Sequence, residues 1–353
     1  MGGQGAGGET QSGFRLRKSP ATIPPHHSGA TGLSRANCDS VRIPRMKRDF
    51  PQLDWDAACA DDCRQLVRLA VREDLADGYD WTTVSLVGEE LTGRARIVSR
   101  QTGVLAGLRA AATAIDEMDT SLVLTPRMSD ADSLAPGSVV AEIAGPSRQL
   151  LTAERIVLNL LGRMSGVATQ TKRYVDAIAG TKARLYDTRK TTPGWRRLEK
   201  YAVRCGGGHN HRTGLYEAVL IKDNHLAVGA GASGIRKFTP AEAVGRSREF
   251  VCGYLGEEAG REMIVEIEVD TLEQLRQVLG AKPDLVLVDN MPPDMLRQAI
   301  AIRNELAPQI ELEASGGITL ASIRAVAETG IDRISCGALT HSAINFDLGL
   351  DWE

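Results

Sequence analysis

Hydrophobic positions in the first half of the chain follow two different periods. Apolar residues recur every three or four positions from Asp56 to Asp74 and from Leu108 to Met118, which predicts two amphipathic helices. Short runs rich in β-forming residues predict three strands, at Gly93–Arg100, Ser121–Arg127 and Ser138–Ala144. A long helical pattern follows from Leu151 to Ile178, with Thr152 as its expected N-cap. Together these elements predict a small N-terminal α/β domain.

The second half of the chain repeats a unit of one strand followed by one helix. Six short apolar runs predict the strands: Ala183–Tyr186, Val219–Ile221, Ile264–Val269, Leu285–Val288, Ile310–Leu312 and Ile331–Ser335. Helical patterns such as Asp294–Leu306 follow most of these runs, at a spacing of roughly 20 to 25 residues. This alternation is typical of a parallel β/α architecture.

Polar residues follow the predicted strands, where a β/α barrel carries its functional groups. They are Asp187, Lys222, Asp223, Glu268, Asp289, the segment from Glu313 to Ser315, and Gly337. Alternation along Ile264–Val269 puts Glu266 and Glu268 on one face of the strand, and the other face is apolar. We therefore expect both glutamates to point into the barrel, with Lys190 and Lys222 as partners, since an unpaired buried carboxylate is costly.

Charge is unevenly distributed along the 353 residues. The formal net charge of -3 argues against a general nucleic-acid or membrane binder, yet Lys182–His225 contains ten Lys or Arg residues and four acids. Four of these cations, Arg196, Arg197, Lys200 and Arg204, recur at helical intervals and predict a solvated helix face. The others of interest lie at strand ends or beside glycines and predict an anion site: Arg189, Lys190, His211, Arg212 and Lys222.

Two loops of small residues near the C-terminus predict a phosphate site. Residues 314–319 and 336–341 each lead from a predicted strand towards a helix, where free backbone amides suit an anion. Residues 229–234 match a G-x-G-x-x-G pattern, but no strand–turn–helix frame surrounds them. We interpret this glycine-rich stretch as the beginning of a mobile loop insertion over about 231–261.

Several sequence runs resemble the quinolinate phosphoribosyltransferase family, also called nicotinate-nucleotide pyrophosphorylase (carboxylating). The runs are LTAER at 151–155, DTRKT at 187–191, KYAVR at 200–204, NHR at 210–212, IKDNH at 221–225, EIEVD at 266–270, VDN at 288–290 and GALTH at 337–341. The resemblance extends from about residue 55 to the C-terminus. It implies an incomplete, seven-stranded type of β/α barrel with an N-terminal α/β sandwich domain.

The domain organisation expected from the pattern and the resemblance has three parts. Residues 1–46 form a disordered extension, because they contain few apolar residues. Residues 47–164 form the N-terminal α/β domain, to which we expect residues 343–353 to return. Residues 165–342 form the barrel. An organellar transit peptide, or an upstream start codon with the true start at Met46, would also explain residues 1–46.

The resemblance also implies an activity and its residues. The family converts quinolinate and phosphoribosyl pyrophosphate, with Mg²⁺, to nicotinate mononucleotide, pyrophosphate and carbon dioxide in de novo NAD biosynthesis. By position, the residues implied for the two quinolinate carboxylates are Arg155, Arg189, His211, Arg212 and Lys222. Lys190, Glu268 and Asp289 are implied in catalysis and in binding phosphoribosyl pyrophosphate. The carboxylates of Glu268 and Asp289 are also implied to bind Mg²⁺, partly through water and the pyrophosphate. The residues implied to bind the 5′-phosphate of this substrate are Ser315, Gly316, Gly337 and His341.

The resemblance further implies that Arg155 reaches the site from a partner subunit, in a homodimer or a larger homo-oligomer such as a hexamer. We expect a cytoplasmic enzyme with neither a nucleic acid nor a membrane as partner. Two alternatives stay open at this point. One is a related phosphoribosyltransferase that acts on another carboxylated ring, such as nicotinate. The other is a non-catalytic paralogue that binds a phosphorylated ligand.

Overall fold

The structure, a computed structural model, describes residues 48–229 and 238–353. The predictions for residues 1–46, and that part of the predicted insertion that spans residues 231–237, lie outside the described residues. The helices and strands before the barrel are α1 (Ala57–Leu75), α2 (Trp81–Leu86), β1 (Thr92–Ser99), β2 (Gly103–Val104), α3 (Leu108–Glu117), β3 (Val123–Pro126), β4 (Ser133–Leu134) and β5 (Val139–Pro146).

The remaining elements begin with a helix that leads into the barrel. They are α4 (Ser147–Ala177), β6 (Arg184–Tyr186), α5 (Arg196–Cys205), β7 (Val219–Ile221), α6 (Asp223–Val228), α7 (Pro240–Leu255), α8 (Glu257–Glu262), β8 (Val265–Val269), α9 (Leu272–Leu279), β9 (Leu285–Asp289), α10 (Pro293–Leu306), β10 (Glu311–Ser315), α11 (Ile323–Ala327), β11 (Arg333–Ser335), α12 (Ala338–His341) and β12 (Leu348–Trp352).

The N-terminal part is an antiparallel sheet packed against helices. Its strand order is β12-β1-β5-β3, so the C-terminal strand lies on the N-terminal sheet, with Ala95 opposite Trp352 and Ser99 opposite Leu348. Helix α1 begins where Asp56 accepts a hydrogen bond from the Cys59 amide at 2.7 Å, and it buries Cys59, Cys63 and Val67 at helical spacing. Helix α1 packs against α3, α4 and α5, and α4 packs against β1 and β5 of the sheet.

Helix α4 links the two parts and begins one turn earlier than the sequence predicts. It follows β5 directly at Ser147, so Thr152 lies inside the helix, and its prediction as N-cap was wrong. The Thr152 hydroxyl donates to the Arg148 carbonyl at 3.0 Å, the backward bond that threonine forms within a helix. The helix continues through residues 164 and 165, so the predicted domain boundary falls within one continuous element.

The barrel is a parallel sheet in the order β6-β11-β10-β9-β8-β7. These are six strands among the described residues, where the resemblance implies a seven-stranded type. An irregular segment around His209 lies at the free edge of β6, where it forms a parallel bridge with Tyr186. The His209 amide donates to the Leu185 carbonyl at 2.8 Å, and the Asp187 amide donates to the His209 carbonyl at 3.0 Å. This segment therefore takes the place of the seventh strand.

The prediction of a loop over residues 231–261 is wrong for the described residues of that range, which form helices α7 and α8. Thr239 and Glu242 form a capping box at the start of α7, and Pro240 occupies the first helical position. The helix buries Ala243, Val244 and Val251 and packs against β8 and α9. Helix α7 is thus the crossover between β7 and β8, as a parallel pair requires.

Close packing of α4 against the C-terminal segment generates a stability prediction. A Cβ atom added at Gly166 would lie 2.1 Å from the Ile344 carbonyl oxygen, which belongs to the backbone and cannot rotate away. We expect Gly166→Ala to lower the free energy of unfolding by about 1 to 3 kcal/mol, the usual cost of overpacking. Gly245→Ala is the matched control. A Cβ there meets nothing within 4 Å, and we expect a gain of about 0.5 to 1 kcal/mol because alanine favours the helix. Equal urea midpoints for the two variants would contradict this account.

Candidate active site

A cavity of about 820 Å³ lies at the carboxyl ends of the barrel strands. Eleven of the twelve predicted site residues line it: Arg189, Lys190, His211, Arg212, Lys222, Glu268, Asp289, Ser315, Gly316, Gly337 and His341. The twelfth, Arg155, lies on α4 with its side chain 71% exposed and paired with Glu154 at 2.8 Å. The barrel thus brings together residues that are separated by up to about 150 positions in the sequence.

A fully buried ion pair supports one wall of the cavity. Lys200 on α5 pairs with Asp187, which follows β6, and both side chains have no solvent exposure. Asp187 also accepts hydrogen bonds from the His211 amide at 2.8 Å and from Asn210 Nδ2 at 2.7 Å. Lys200 Nζ donates to the His211 carbonyl at 2.7 Å. Burial raises the pKa of Asp187, and Lys200 and the two donors oppose that rise.

The prediction of a solvated helix face was therefore wrong for Lys200. The helical spacing of the four cations is correct, but α5 buries Leu198, Ala202 and Val203 against the protein, and Lys200 shares that buried side. The other three cations bind protein groups outside the cavity. Arg196 donates to Thr191 and to the Thr213 carbonyl, Arg197 pairs with Asp62, and Arg204 donates to the Gly208 carbonyl.

Arg189 and Arg212 supply the positive charge of the buried side of the cavity, which we call the arginine wall. The Arg212 guanidinium donates to the Ala218 carbonyl at 2.8 Å, which fixes its orientation. Burial, and then the neighbouring positive charge of Arg189, lower the pKa of Arg212. Arg189 Nε is buried without a hydrogen-bond partner in the described part of the chain. A buried donor of this kind is expected to bind an acceptor, and an anion in the cavity would provide one.

Below this wall lie a histidine and two buried carboxylates, a group that the sequence predicts only in part. His211 Nε2 lies 3.0 Å from Glu266 and 3.6 Å from Glu313, and both glutamates are completely buried. The Arg212 amide donates to His211 Nδ1 at 2.8 Å. Burial lowers the pKa of His211, but the two carboxylates raise it more, so that it lies above its ordinary value. Burial and the neighbouring Glu266 raise the pKa of Glu313 to about 7.

The expected inward orientation of Glu266 and Glu268 is correct, but their partners differ. Glu268 pairs with Lys222, as the sequence predicts, whereas Glu266 contacts His211 instead of a lysine. Side-chain oxygens of Glu268, Asp270 and Asp289 lie within 4.8 Å of one another at the cavity edge. Oxygen ligands at this separation fit a hard divalent cation such as Mg²⁺.

The two small-residue loops also line the cavity. Gly316 has a φ of 91°, and a Cβ there would lie 2.2 Å from Asn290 Oδ1. Gly337 lets Lys190 approach closely, since a Cβ would lie 2.8 Å from Lys190 Cδ. The Thr340 hydroxyl donates to the Lys190 carbonyl at 2.8 Å, which joins this loop to the one that carries Lys190.

Comparison with known proteins supports the same family as the sequence runs. Family models described as quinolinate phosphoribosyl transferase match in two parts, the N-terminal domain at residues 80–165 and the C-terminal domain at residues 167–351. The chain belongs to the quinolinate phosphoribosyltransferase family. Its fold class is accordingly confirmed as a mixed α/β structure with a barrel-like C-terminal domain.

Relatives in this family cover most of the chain. A nicotinate-nucleotide pyrophosphorylase [carboxylating] of Mycobacterium leprae is 43% identical over 297 residues, which are 82% of this chain and 97% of that protein. A mitochondrial quinolinate phosphoribosyltransferase [decarboxylating] of Nicotiana tabacum is 34% identical and covers 96% of each chain. The solved nicotinate-nucleotide pyrophosphorylase of Francisella tularensis superposes with a TM-score of 0.75 at 36% identity, covering 86% of this chain and all of that one.

The raised pKa of Glu313 generates a prediction about stability and pH. An ordinary glutamate titrates near 4.5, so between about pH 4.5 and 7 the folded phosphoribosyltransferase holds a proton that the unfolded chain has released. The free energy of unfolding should therefore fall as pH rises through this window. Glu313→Gln removes that contribution, and its stability relative to the wild type should increase from pH 5 to pH 8. Parallel pH profiles of the urea midpoint for the two proteins would show that Glu313 titrates normally.

Proposed function

We propose that this protein transfers the phosphoribosyl group of phosphoribosyl pyrophosphate to quinolinate and decarboxylates the product. The products would be nicotinate mononucleotide, pyrophosphate and carbon dioxide. The observation that supports the proposal is that one cavity brings together basic residues, two carboxylates and the two small-residue loops. Arg189 and Arg212 line it together with Glu268 and Asp289, and Lys222 pairs with Glu268.

The arginine wall suits the two adjacent carboxylates of quinolinate. Arg189 and Arg212 offer guanidinium groups that can bind a carboxylate through two parallel hydrogen bonds, and Lys222 adds a point charge. His211 has both ring nitrogens in contact with protein groups. Direct carboxylate binding by His211 stays a prediction, and it would require one of these contacts to open. A monocarboxylate such as nicotinate would use fewer of these cations.

The other lining residues of the cavity suit phosphoribosyl pyrophosphate. Lys190 would bind its pyrophosphate, and Ser315, Gly316, Gly337 and His341 would bind the 5′-phosphate through the loops that precede helices. Glu268 and Asp289 would hold Mg²⁺ together with the pyrophosphate oxygens, partly through water. The ion would balance the negative charge of the departing pyrophosphate.

The reaction proceeds by attack of the pyridine nitrogen on the ribose C1 atom as pyrophosphate leaves. Positive charge develops on the sugar in this transition state, and the carboxylates of Glu268 and Asp289 stabilise it electrostatically. The ring nitrogen is then quaternary, and it stabilises the electron pair that remains on C2 when the adjacent carboxylate leaves as carbon dioxide. C2 then takes up a proton from solvent, which gives nicotinate mononucleotide. Arg189 and Arg212 hold the ring in place during both steps, so that positioning matters more than a dedicated acid.

A complete site would require a second copy of the chain. Arg155 is exposed and does not line the cavity of its own subunit. We propose that it reaches the quinolinate-binding residues of a neighbouring subunit in a homodimer or larger homo-oligomer. We also propose a cytoplasmic location without membrane or nucleic-acid partners. Among the described helices, none is both long and apolar enough to cross a membrane.

One assay tests the activity directly. Purified protein is incubated with phosphoribosyl pyrophosphate, Mg²⁺ and either quinolinate or nicotinate, and nucleotide, pyrophosphate and carbon dioxide are measured, with a chelator in a parallel reaction. We expect turnover only with quinolinate and metal, with one carbon dioxide for each pyrophosphate. Turnover of nicotinate without carbon dioxide would indicate a related phosphoribosyltransferase. No turnover of either ring would indicate a non-catalytic paralogue.

Replacement of Arg212 by lysine tests the arginine wall. The variant keeps the charge but loses the paired hydrogen bonds, so we expect the KM for quinolinate to rise roughly 10- to 150-fold, equivalent to about 1.5 to 3 kcal/mol. The KM for phosphoribosyl pyrophosphate should change little. Arg197→Lys is the control, because Arg197 pairs with Asp62 outside the cavity. A wild-type quinolinate KM in Arg212→Lys would remove Arg212 from the binding site.

Mixing two inactive variants tests the shared site. Arg155→Ala and Lys190→Ala should each have low activity, since each removes a different part of every site. If subunits exchange, a mixed oligomer contains some sites with both residues intact, and activity should recover to about a quarter of the wild-type value. Subunit exchange is checked by mass spectrometry of differently tagged chains. Exchange without any recovery would show that Arg155 and Lys190 act from the same chain.

A further inference from the structure

The residues that precede helix α1 contact the barrel near the starts of its strands and reach His211 from the side away from the cavity. We call residues 49–53 the N-terminal strap. The ring of Phe50 stacks on the ring of His211, with centroids 4.2 Å apart and planes inclined by 28°. Phe50 is 3% exposed and forms a small apolar cluster with Tyr186, Ala218, Ile264 and Leu285. This cluster is separate from the main hydrophobic core.

The strap is anchored to the barrel by Asp49. Its carboxylate accepts hydrogen bonds from Tyr186 Oη at 2.8 Å, from Arg184 at 2.8 Å and from Arg333 at 3.0 Å. The Phe50 amide also donates to Asp49 at 2.9 Å. Arg333 is completely buried, so this group of ion pairs is shielded from solvent on one side. These bonds fix Phe50 at one position under the site.

The other end of the strap binds the residue before His211. The Asn210 amide donates to Gln52 Oε1 at 2.8 Å, Gln52 Nε2 donates to the Asn210 carbonyl at 3.1 Å, and the Leu53 amide donates to Asn210 Oδ1 at 2.8 Å. Asn210, His211 and Arg212 belong to the irregular segment that replaces the seventh strand. Beyond the bridge at His209 this segment has no regular ladder, so the strap, together with Asp187 and Lys200, holds it in place.

We propose that the N-terminal strap is a positioning element for quinolinate binding, with Phe50 holding His211, and through it Arg212, at the arginine wall. The inference rests on the proposed function. His211 has one ring face against Phe50, Nε2 towards Glu266 and Nδ1 towards the Arg212 amide. Loss of the stacked ring frees His211 to rotate, and the Arg212 backbone then loses its acceptor. No strap residue lines the cavity, so the effect is indirect.

Phe50→Leu tests the proposal through the two substrates separately. We expect the KM for quinolinate to rise roughly tenfold or more, the scale on which a small misplacement affects a site, with the KM for phosphoribosyl pyrophosphate within about twofold of the wild type. Phe346→Leu is the control, because Phe346 is a buried phenylalanine that packs near Gly103 and Gly162 and does not line the cavity. It should lower the Tm comparably and leave both KM values unchanged.

The possible outcomes distinguish a failure of the strap proposal from a failure of the proposed function. A wild-type protein that does not turn over quinolinate refutes the function before any variant is made. If Phe50→Leu lowers the Tm as Phe346→Leu does but leaves the quinolinate KM unchanged, the strap is only structural and the proposal is overturned. If Phe50→Leu does not fold, the Gln52→Ala variant tests the same proposal. It removes two bonds to Asn210, and a selective rise of the quinolinate KM supports the proposal, whereas unchanged values overturn it.

Discussion

The buried ion pair between Asp187 and Lys200 is the interaction on which the site depends. Two charges without solvent exposure are costly to desolvate, and removal of one partner of such a pair typically costs about 3 to 5 kcal/mol. The cost is offset here because Asp187 has two further donors and Lys200 has a backbone acceptor. The pair joins the end of β6, helix α5 and the irregular segment that carries His211 and Arg212. The position of the arginine wall therefore depends on an ion pair whose two residues do not line the cavity.

Charge balance explains why carboxylates lie beneath a site for anions. Arg189 and Arg212 repel one another, and the free protein must hold them together before any substrate arrives, whereas Lys222 is already paired with Glu268. Glu266 and Glu313 lie directly below this wall and share His211 between them. Burial, and then the like charge of Glu266, raise the pKa of Glu313, so this layer takes up a proton more readily than exposed carboxylates do. The wall can thus stay strongly positive towards the cavity without an uncompensated charge in the core.

Sequence periodicity predicted the cavity better than it predicted the supports of the cavity. Strand ends in a parallel barrel meet at one edge, so most of the polar residues after the apolar runs were correctly expected to converge, although Asp187 and Asp223 do not line the cavity. Lys200 was misassigned because a helical period does not show which polar residue faces the core. Helix α7 was missed because Gly229–Gly234 suggested a loop and because Gly245 and Gly253 weaken its apolar stripe. The His211–Glu266 contact joins residues far apart in sequence, and no local pattern predicts such a pair.

Calorimetric titration tests, without any turnover, whether this site selects a dicarboxylate. The full-length protein is titrated with quinolinate and, separately, with nicotinate at the same pH and ionic strength. A second carboxylate bound by charge-assisted hydrogen bonds is worth about 1.5 to 3 kcal/mol, so quinolinate should bind at least roughly tenfold more tightly than nicotinate. Equal affinity for the two rings would contradict the account, because the arginine wall would then serve no second carboxylate.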